Sequence, residues 1–440
     1  MSSSCSRADR SPVHWVMMQA MGQWSIVRNP FRNPLPQSQR EVDDMYKVIS
    51  SDNVPSDSRA ATTNWRRVLG LREMGVYYAL ALVVALLSVA AAYSGDVSYL
   101  SFQNLSNVLQ QSSLMAIIAV AMTVILITGN FDLSVGSVAA LSAAVMVGLA
   151  DSIGFVPACL VAMLVAVGAG LLNGVIVQYL GINAFIVTLG TMTALRGVVL
   201  IVTDGRTVSV DNPRVIGAMR AFETGRWPIG TALTAIGLLL AAESLWMLLK
   251  ARRSGRGVSP VSVGMGVCAV CLLAMAWAGG RELALPKIVI YMVAFSTVVW
   301  FVLSFTMVGR RVYAVGGNPE AARLSGINVV RYKLAAFVLC SAAAGFAGIL
   351  FGSRLRSVNP AALTGAELTV IAAAILGGTS LFGGAGSVGK TVAGALLLFT
   401  LTNGFNILNL GVNYQGLLEG TVVVAAAAIY TVGGTRRRGK

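Results

Sequence analysis

The sequence predicts an all-α fold, a polytopic transmembrane helical bundle of about twelve spans in which several helices are broken. Three observations predict it. Hydrophobic residues make up 56% of the 440-residue chain and charged residues 12%, with a mean hydropathy of +0.74, more apolar surface than one soluble core can hide. Apolar runs of about 20 residues, the length that crosses a bilayer core, recur from residue 76 to residue 432. The basic residues gather in the loops and tails between those runs, so a net charge of +15 orients the chain in a membrane and does not mark a nucleic-acid surface. The single histidine, His14, leaves no set from which a His-based metal site or catalytic dyad could be built.

Residues 1–72 mix Ser, Arg, Asp, Pro and Asn without periodicity and read as a flexible cytoplasmic tail. Met17, Met18, Met21 and Met45 leave a later translation start open. Trp65-Arg66-Arg67 and the apolar run after it imitate a secretory signal, but the run is too deep and too long, and an uncleaved first helix is expected. The membrane domain, 73–435, is expected to hold spans at 76–93, 107–127, 136–150, 157–179, 184–202, 228–249, 258–278, 286–307, 334–352, 366–382, 389–407 and 414–432, before a basic C-terminus at 436–440. Arg66, Arg67 and Arg72 precede the first span, Arg252, Arg253 and Arg256 follow the sixth, and Arg436, Arg437, Arg438 and Lys440 follow the last. An even number of spans then puts both termini in the cytoplasm. The loop between the fifth and sixth spans is the largest external one and carries four arginines against Asp204, Asp211 and Glu223. Cys268 and Cys271, one helical turn apart in an apolar run, read as small packing residues.

The interruptions carry the functional information. Thr128 to Ser137 puts a carboxylate, an amide and two glycines between apolar runs. Irregular backbone at membrane depth needs protein or a water-filled cavity to satisfy it. The expectation is a break, with Asp132 or Ser134 capping the next helix; a plain turn and a pathway-lining role both fit. Gly309–Lys333 is a basic island in which Asn318 can cap, Pro319 takes the first helical position, Glu320 suits the positive N-terminus and Gly326 ends the helix. Polar residues inside spans are costly and become pathway candidates: Gln110, Gln111, Asp132, Asn173, Thr188, Arg196, Glu367, Asn403 and Asn406. Arg196 and Glu367 stand out, because a lone buried charge is expensive. Neutral amides and hydroxyls otherwise dominate, which suits an uncharged polyhydroxylated solute. Gly384 to Thr391 spells G-x-x-x-x-G-K-[ST], yet its flanks are spans rather than a buried strand and a soluble helix. A tight turn and close helix packing are expected there, with Lys390 an internal charge.

Several of these stretches resemble one family. Glu320-Ala321-Ala322, three residues, then Gly326 resembles the EAA loop of ABC-importer permeases, and GGNPEAARLSGI is similar to permeases of the ribose, galactose and xylose type. ITGNFDLSVGSVAALSA resembles a signature of the same permeases, which have Gly-Gly-Ile-Asp where this chain has Gly129-Asn130-Phe131-Asp132. Gly170 to Thr191 looks like their central segment, with Asn183-Ala184 in place of a proline pair, and Ala372 to Asn406 like their glycine-rich C-terminal segment. The likeness covers most of 99–205 and 309–430, and the extra pair of spans at about 228–278 resembles the xylose-type branch.

The resemblance implies the permease subunit of a sugar importer in a bacterial cytoplasmic (inner) membrane. Such a permease works as a homodimer with two cytoplasmic ABC ATPase subunits and an extracytoplasmic sugar-binding protein, with no cofactor and no hydrolysis of its own. Asn318, Pro319, Glu320, Ala321, Ala322 and Gly326 would form the helix docking on the ATPase, with the alanines small because the partner comes close. An ion-coupled secondary transporter shares the hydropathy and the broken helices, but would need intramembrane carboxylates, and only Asp132, Glu243, Glu367 and Glu419 are available. An ABC permease for a nucleoside or a sugar-derived signal is a nearer alternative.

Overall fold

The computed structural model describes residues 71–93, 99–253, 260–279, 284–408, 416, 420 and 421, all within the unit Arg67–Lys440. The expected tail up to residue 70, the basic C-terminus and nearly all of the span at 414–432 lie outside the described residues. In chain order the elements are α1 (Leu71–Tyr93), α2 (Phe102–Ile127), α3 (Val135–Ile153), α4 (Phe155–Tyr179), α5 (Ala184–Val202), β1 (Val208–Ser209), α6 (Pro213–Phe222) and β2 (Arg226–Pro228). Then come α7 (Gly230–Arg253), α8 (Pro260–Gly279), β3 (Ala284–Pro286), α9 (Lys287–Phe305), α10 (Met307–Gly317), α11 (Pro319–Leu324) and α12 (Val329–Leu355). The described chain closes with β4 (Ser357–Val358), α13 (Ala366–Leu376) and α14 (Val388–Ile407).

Among the described residues nine helices are long and apolar enough to cross a bilayer, and Ser262–Trp277 and Ala366–Leu376 are shorter apolar helices. The fold is the expected polytopic helical bundle. Its central post is α2: Ala116 to Thr123 and Ile125 to Ile127 are wholly buried, with α9, α12, α13 and α14 packed around it. A helix apolar on every face belongs inside other helices. Against α12 lie α3 and α4, held close by small residues; a Cβ at Gly345 or Gly348 would run into Ala166 or the Ala139 backbone. By contrast α7 and α8 pack mainly on each other, joined by Ser244 Oγ donating to the Ser262 carbonyl at 2.7 Å. The two strand pairs, β1 with β4 and β2 with β3, are both antiparallel.

Two expectations need correction, and one loop holds a helix of its own. The span placed at 366–382 is an 11-residue helix, α13, followed by an irregular loop. Gly377-Gly378 stops it, Gly378 having φ +77°, a left-handed turn that glycine adopts freely. The loop between α5 and α7 is not all irregular. Asn212 accepts from Arg214 N at 3.0 Å and Pro213 opens α6, whose Val215 and Met219 are buried. Cys268 and Cys271 are exposed on α8 and are not packing residues.

Candidate translocation and coupling site

The break after α2 is a compact polar turn. Gly129, at φ +78°, reverses the chain, and Asp132 follows with no exposed surface. Its Oδ1 accepts from Ser134 N at 2.9 Å and from Ser134 Oγ at 2.6 Å. Asn173 of α4 donates through Nδ2 to Ser134 Oγ at 2.9 Å. Ser134 occupies the N-cap position of α3 but makes no side-chain cap; Asp132 Oδ1, accepting from the N–H two residues on, makes the cap-type bond just ahead of the helix. Asn173 Oδ1 is a buried acceptor without a partner among the described residues, and the Ser341 hydroxyl of α12 acts on the Asp132 carboxyl. Irregular backbone is tolerated here because α4 and α12 enclose it.

One turn into α3 the chain meets the start of α13. The space a side chain would need at Gly136 is taken by Glu367 Oε2, with the Leu363 carbonyl 3.0 Å from it. Leu363 (φ +58°) and Gly365 (φ +84°) turn the chain into α13. Arg196 of α5 donates through Nη1 to the carbonyls of Pro360 (3.1 Å) and Ala362 (2.7 Å) and feels the charge of Glu367. Ser137 Oγ donates to the Met192 carbonyl at 2.8 Å, tying α3 to α5. Thus two pairs read separately from the sequence, Asp132 with Asn173 through Ser134 and Arg196 with Glu367, lie at and within one turn of the start of α3. There the guanidinium of Arg196 acts on Glu367, while Asp132 is held by Ser134.

A second polar cluster was not anticipated. Glu223, at the end of α6, is fully buried, with Gln110 of α2 and Arg354 of α12 acting on its carboxylate. No hydrogen bond closes on either oxygen, and burial outweighs both neighbours, so the carboxyl titrates above the usual range. Phe222 beside it stacks with Phe155, Tyr291 and Phe346 at centroid distances of 5.5, 5.4 and 6.3 Å. The signal was present: Asn212-Pro213, then Val215, Met219 and Phe222 at helical spacing.

The basic island is two helices, not one. Its first, α10, begins at Thr306, whose Oγ1 accepts from Gly309 N. At α11, Asn318 Oδ1 accepts from Ala321 N at 3.0 Å, Pro319 stands in the first turn with Glu320, and Gly326 follows at φ +78° in open space. That glycine is required by its dihedral angle and not by a clash. Ala322 is buried within this chain, which corrects the reading that both alanines are small for a partner's sake; Ala321 is exposed. Leu324 is 82% exposed at the tip of α11, a residue the sequence reading passed over.

The end of α10 reaches the break through glycine. A Cβ on Gly316 would fall on the Ile127 carbonyl and 2.8 Å from Gly384 N, and Gly384 N donates to that same carbonyl at 2.9 Å. A Cβ on Gly383 would lie 2.7 Å from the Gly316 carbonyl and 3.1 Å from Gly129. Tyr313 of α10 donates to the Gly386 carbonyl at 2.9 Å. The G-x-x-x-x-G-K-[ST] string is therefore the junction joining α10 to the end of α2. It follows a helix rather than a strand, and Thr391 Oγ1 is spent on Thr123 Oγ1 at 2.7 Å.

The other candidates lie elsewhere. Thr188 bonds back to the Ala184 carbonyl of its own helix at 2.8 Å. Asn403 donates to Asn104 Oδ1 at 2.9 Å, locking α14 to α2. Gln111 is half-buried and Asn406 exposed.

With this geometry in hand, comparison with known proteins is informative. A family model described as branched-chain amino acid transport system / permease component matches residues 104–427. The xylose transport system permease protein of Escherichia coli (strain K12) is 33% identical over 399 residues, 88% of this chain and all of that protein. The ribose import permease protein of the same strain is 34% identical over 350 residues, 79% of this chain and 92% of that protein. Its counterpart in Haemophilus influenzae is 32% identical over 86% of this chain and 98% of that protein. No solved structure matches. The resemblance to ribose- and xylose-type permeases holds nearly end to end, and the chain belongs to the branched-chain amino acid transport system / permease component family, as a multi-pass helical membrane permease.

Proposed function

We propose that this chain is the permease subunit of an ATP-driven importer for a monosaccharide, a pentose with xylose as first candidate, in a bacterial inner membrane. The observation that carries the reading is the end-to-end likeness to a xylose and to ribose permeases, together with an exposed, capped α11 joined to the break through Gly316. Xylose is named first because the α7–α8 hairpin is the extra pair of spans by which the sequence resembles the xylose-type branch.

In this reading α11 docks on a cytoplasmic ATPase through Glu320, Ala321 and Leu324, and that partner performs the hydrolysis. Closure of the ATPase pair pushes α10. Because Gly316, Gly383 and Gly384 meet backbone to backbone, the push reaches the end of α2 and the Asp132 turn without slack. The junction of α3 and α13, clamped by Arg196, is the element that moves. Two permease copies form the path, both termini are cytoplasmic, and an extracytoplasmic binding protein delivers the sugar to the face bearing Glu223. The test is the ligand of the binding protein that works with this permease: xylose or a close pentose supports the reading, whereas a nucleoside or a sugar-derived signal replaces the substrate and leaves the ATP-driven class standing.

A further inference from the structure

Between α9 and α12, which share no packed interface although both lie on α2, runs a cleft of about 710 Å³. Its walls are hydrocarbon, Phe295, Val299 and Leu303 on one side and Ala335 and Leu339 on the other, with Val124 of α2 at its floor. It opens to the outside of the helical bundle, Val298 and Val308 on its lip being 60% and 48% exposed. At the end nearest the basic island its lining changes to Arg311, Arg331 and Tyr332. Both arginines are exposed, and Arg311 Nη1 donates to Tyr332 Oη at 3.1 Å. Among the described residues neither has a carboxylate within ion-pair distance.

We propose that this cleft binds one anionic phospholipid, with its acyl chains along the Phe295–Leu339 walls and its phosphate on Arg311 and Arg331. A hydrocarbon cleft facing the lipid phase excludes water, which would find no hydrogen-bond partners there. Guanidinium groups match phosphate oxygens in a bidentate fork, and basic pockets between spans hold charged headgroups. The amphipathic match selects a lipid over a free anion, which has no use for the apolar walls, and over a sugar, which would leave its hydroxyls unpaired on them. That the lipid belongs to the inner leaflet rests on the orientation proposed above; the site itself does not depend on transport, so the two readings fail separately.

The experiment uses the full chain purified with its ATPase, measuring bound phospholipid by native mass spectrometry as phosphatidylglycerol or phosphatidylcholine is titrated in. Phosphatidylglycerol is expected to bind about one per permease, and Arg311→Gln with Arg331→Gln to weaken it about tenfold or more, in a salt-dependent manner. Ala335→Trp, on the exposed wall, should displace the lipid while both arginines remain. Equal binding of the two lipids, unchanged by either variant, overturns the proposal. So does inorganic phosphate matching phosphatidylglycerol in raising the melting temperature, or a cysteine at 335 cross-linking to the 414–432 segment with lipid excluded, because then a free anion or the chain itself is the occupant.

Discussion

Gly316→Ala is the sharpest perturbation of the coupling route. The added Cβ would sit 2.7 Å from the Ile127 carbonyl carbon, closer still to its oxygen, and 2.8 Å from Gly384 N. Below 3.0 Å something must shift, and every atom in the way is backbone, so no side-chain rotation relieves it. Overpacking of this kind costs about 1–3 kcal/mol. Forcing the two segments apart also lengthens the hydrogen bond from Gly384 N to Ile127 O, 2.9 Å in the native fold, worth about 1 kcal/mol. Together the loss is about 2–4 kcal/mol, concentrated where α10 meets the Asp132 turn. The neighbouring Gly317 has nothing within 4 Å of its Cβ position, so Gly317→Ala should be neutral or slightly favourable, by up to ~1 kcal/mol of helix propensity. Both variants should be compared for membrane abundance, melting in detergent, ATPase retention and sugar uptake. Gly316→Ala should melt lower and lose uptake while the ATPase stays bound; Gly317→Ala should match the parent. Equal uptake in the two variants refutes the rigid glycine junction.

Other outcomes follow from the same geometry. Asp132→Asn keeps the Oδ1 acceptor that takes both Ser134 bonds and should lower melting little, whereas Asp132→Ala strands two buried donors, costs about 2–4 kcal/mol and should abolish uptake. Arg196→Met frees the Pro360 and Ala362 carbonyls and leaves Glu367 without its positive neighbour; uptake should fall far more than Arg196→Lys makes it fall, as initial rates would show. Burial raises the Glu223 carboxyl above its unfolded value, so it binds a proton more tightly when folded. Its stabilising contribution is complete below the ordinary glutamate range and drains away as pH rises through the folded value. Melting of the parent should therefore decline as pH rises above the ordinary glutamate range more than that of Glu223→Gln, and parallel profiles would contradict this.

Much of the architecture was legible because membrane spans announce themselves by length and apolarity. α5 lies at the expected 184–202, and α4 and α14 begin within two residues of expectation. The α13 error has a physical cause: a half-length apolar helix followed by Gly377-Gly378 and an apolar turn reads as one span by hydropathy, because hydropathy is blind to dihedral angles. The polar candidates were harder. Residue type marks Asp132, Asn173, Arg196 and Glu367 as costly in a membrane, and the fold links them in two pairs, but the same argument marks Asn403 and Thr188, which spend their polar groups on a helix lock and a back-bond. Only three-dimensional packing separates these outcomes. Glu223 was missed since a loop carrying four arginines reads as solvent-exposed, and its burial depends on α2 and α12, distant in sequence. The glycine string fits a phosphate loop by spacing alone, but its apolar flanks already pointed to a tight turn and close packing, and its glycines are spent on approach to Ile127 and Gly316.

The central claim is that α11 hands ATP-driven motion to the spans. The most direct measurement reconstitutes the permease in proteoliposomes with its ATPase and binding protein and follows labelled pentose uptake in the parent, Glu320→Lys and Gly326→Val. Gly326 holds φ +78°, which a β-branched residue resists, and Glu320 is exposed in the first turn of α11. The account predicts uptake that requires ATP, ignores ionophores, and is lost in both variants at near-normal permease abundance. Uptake by the permease alone, driven by an ion gradient and unchanged by either substitution, would contradict it.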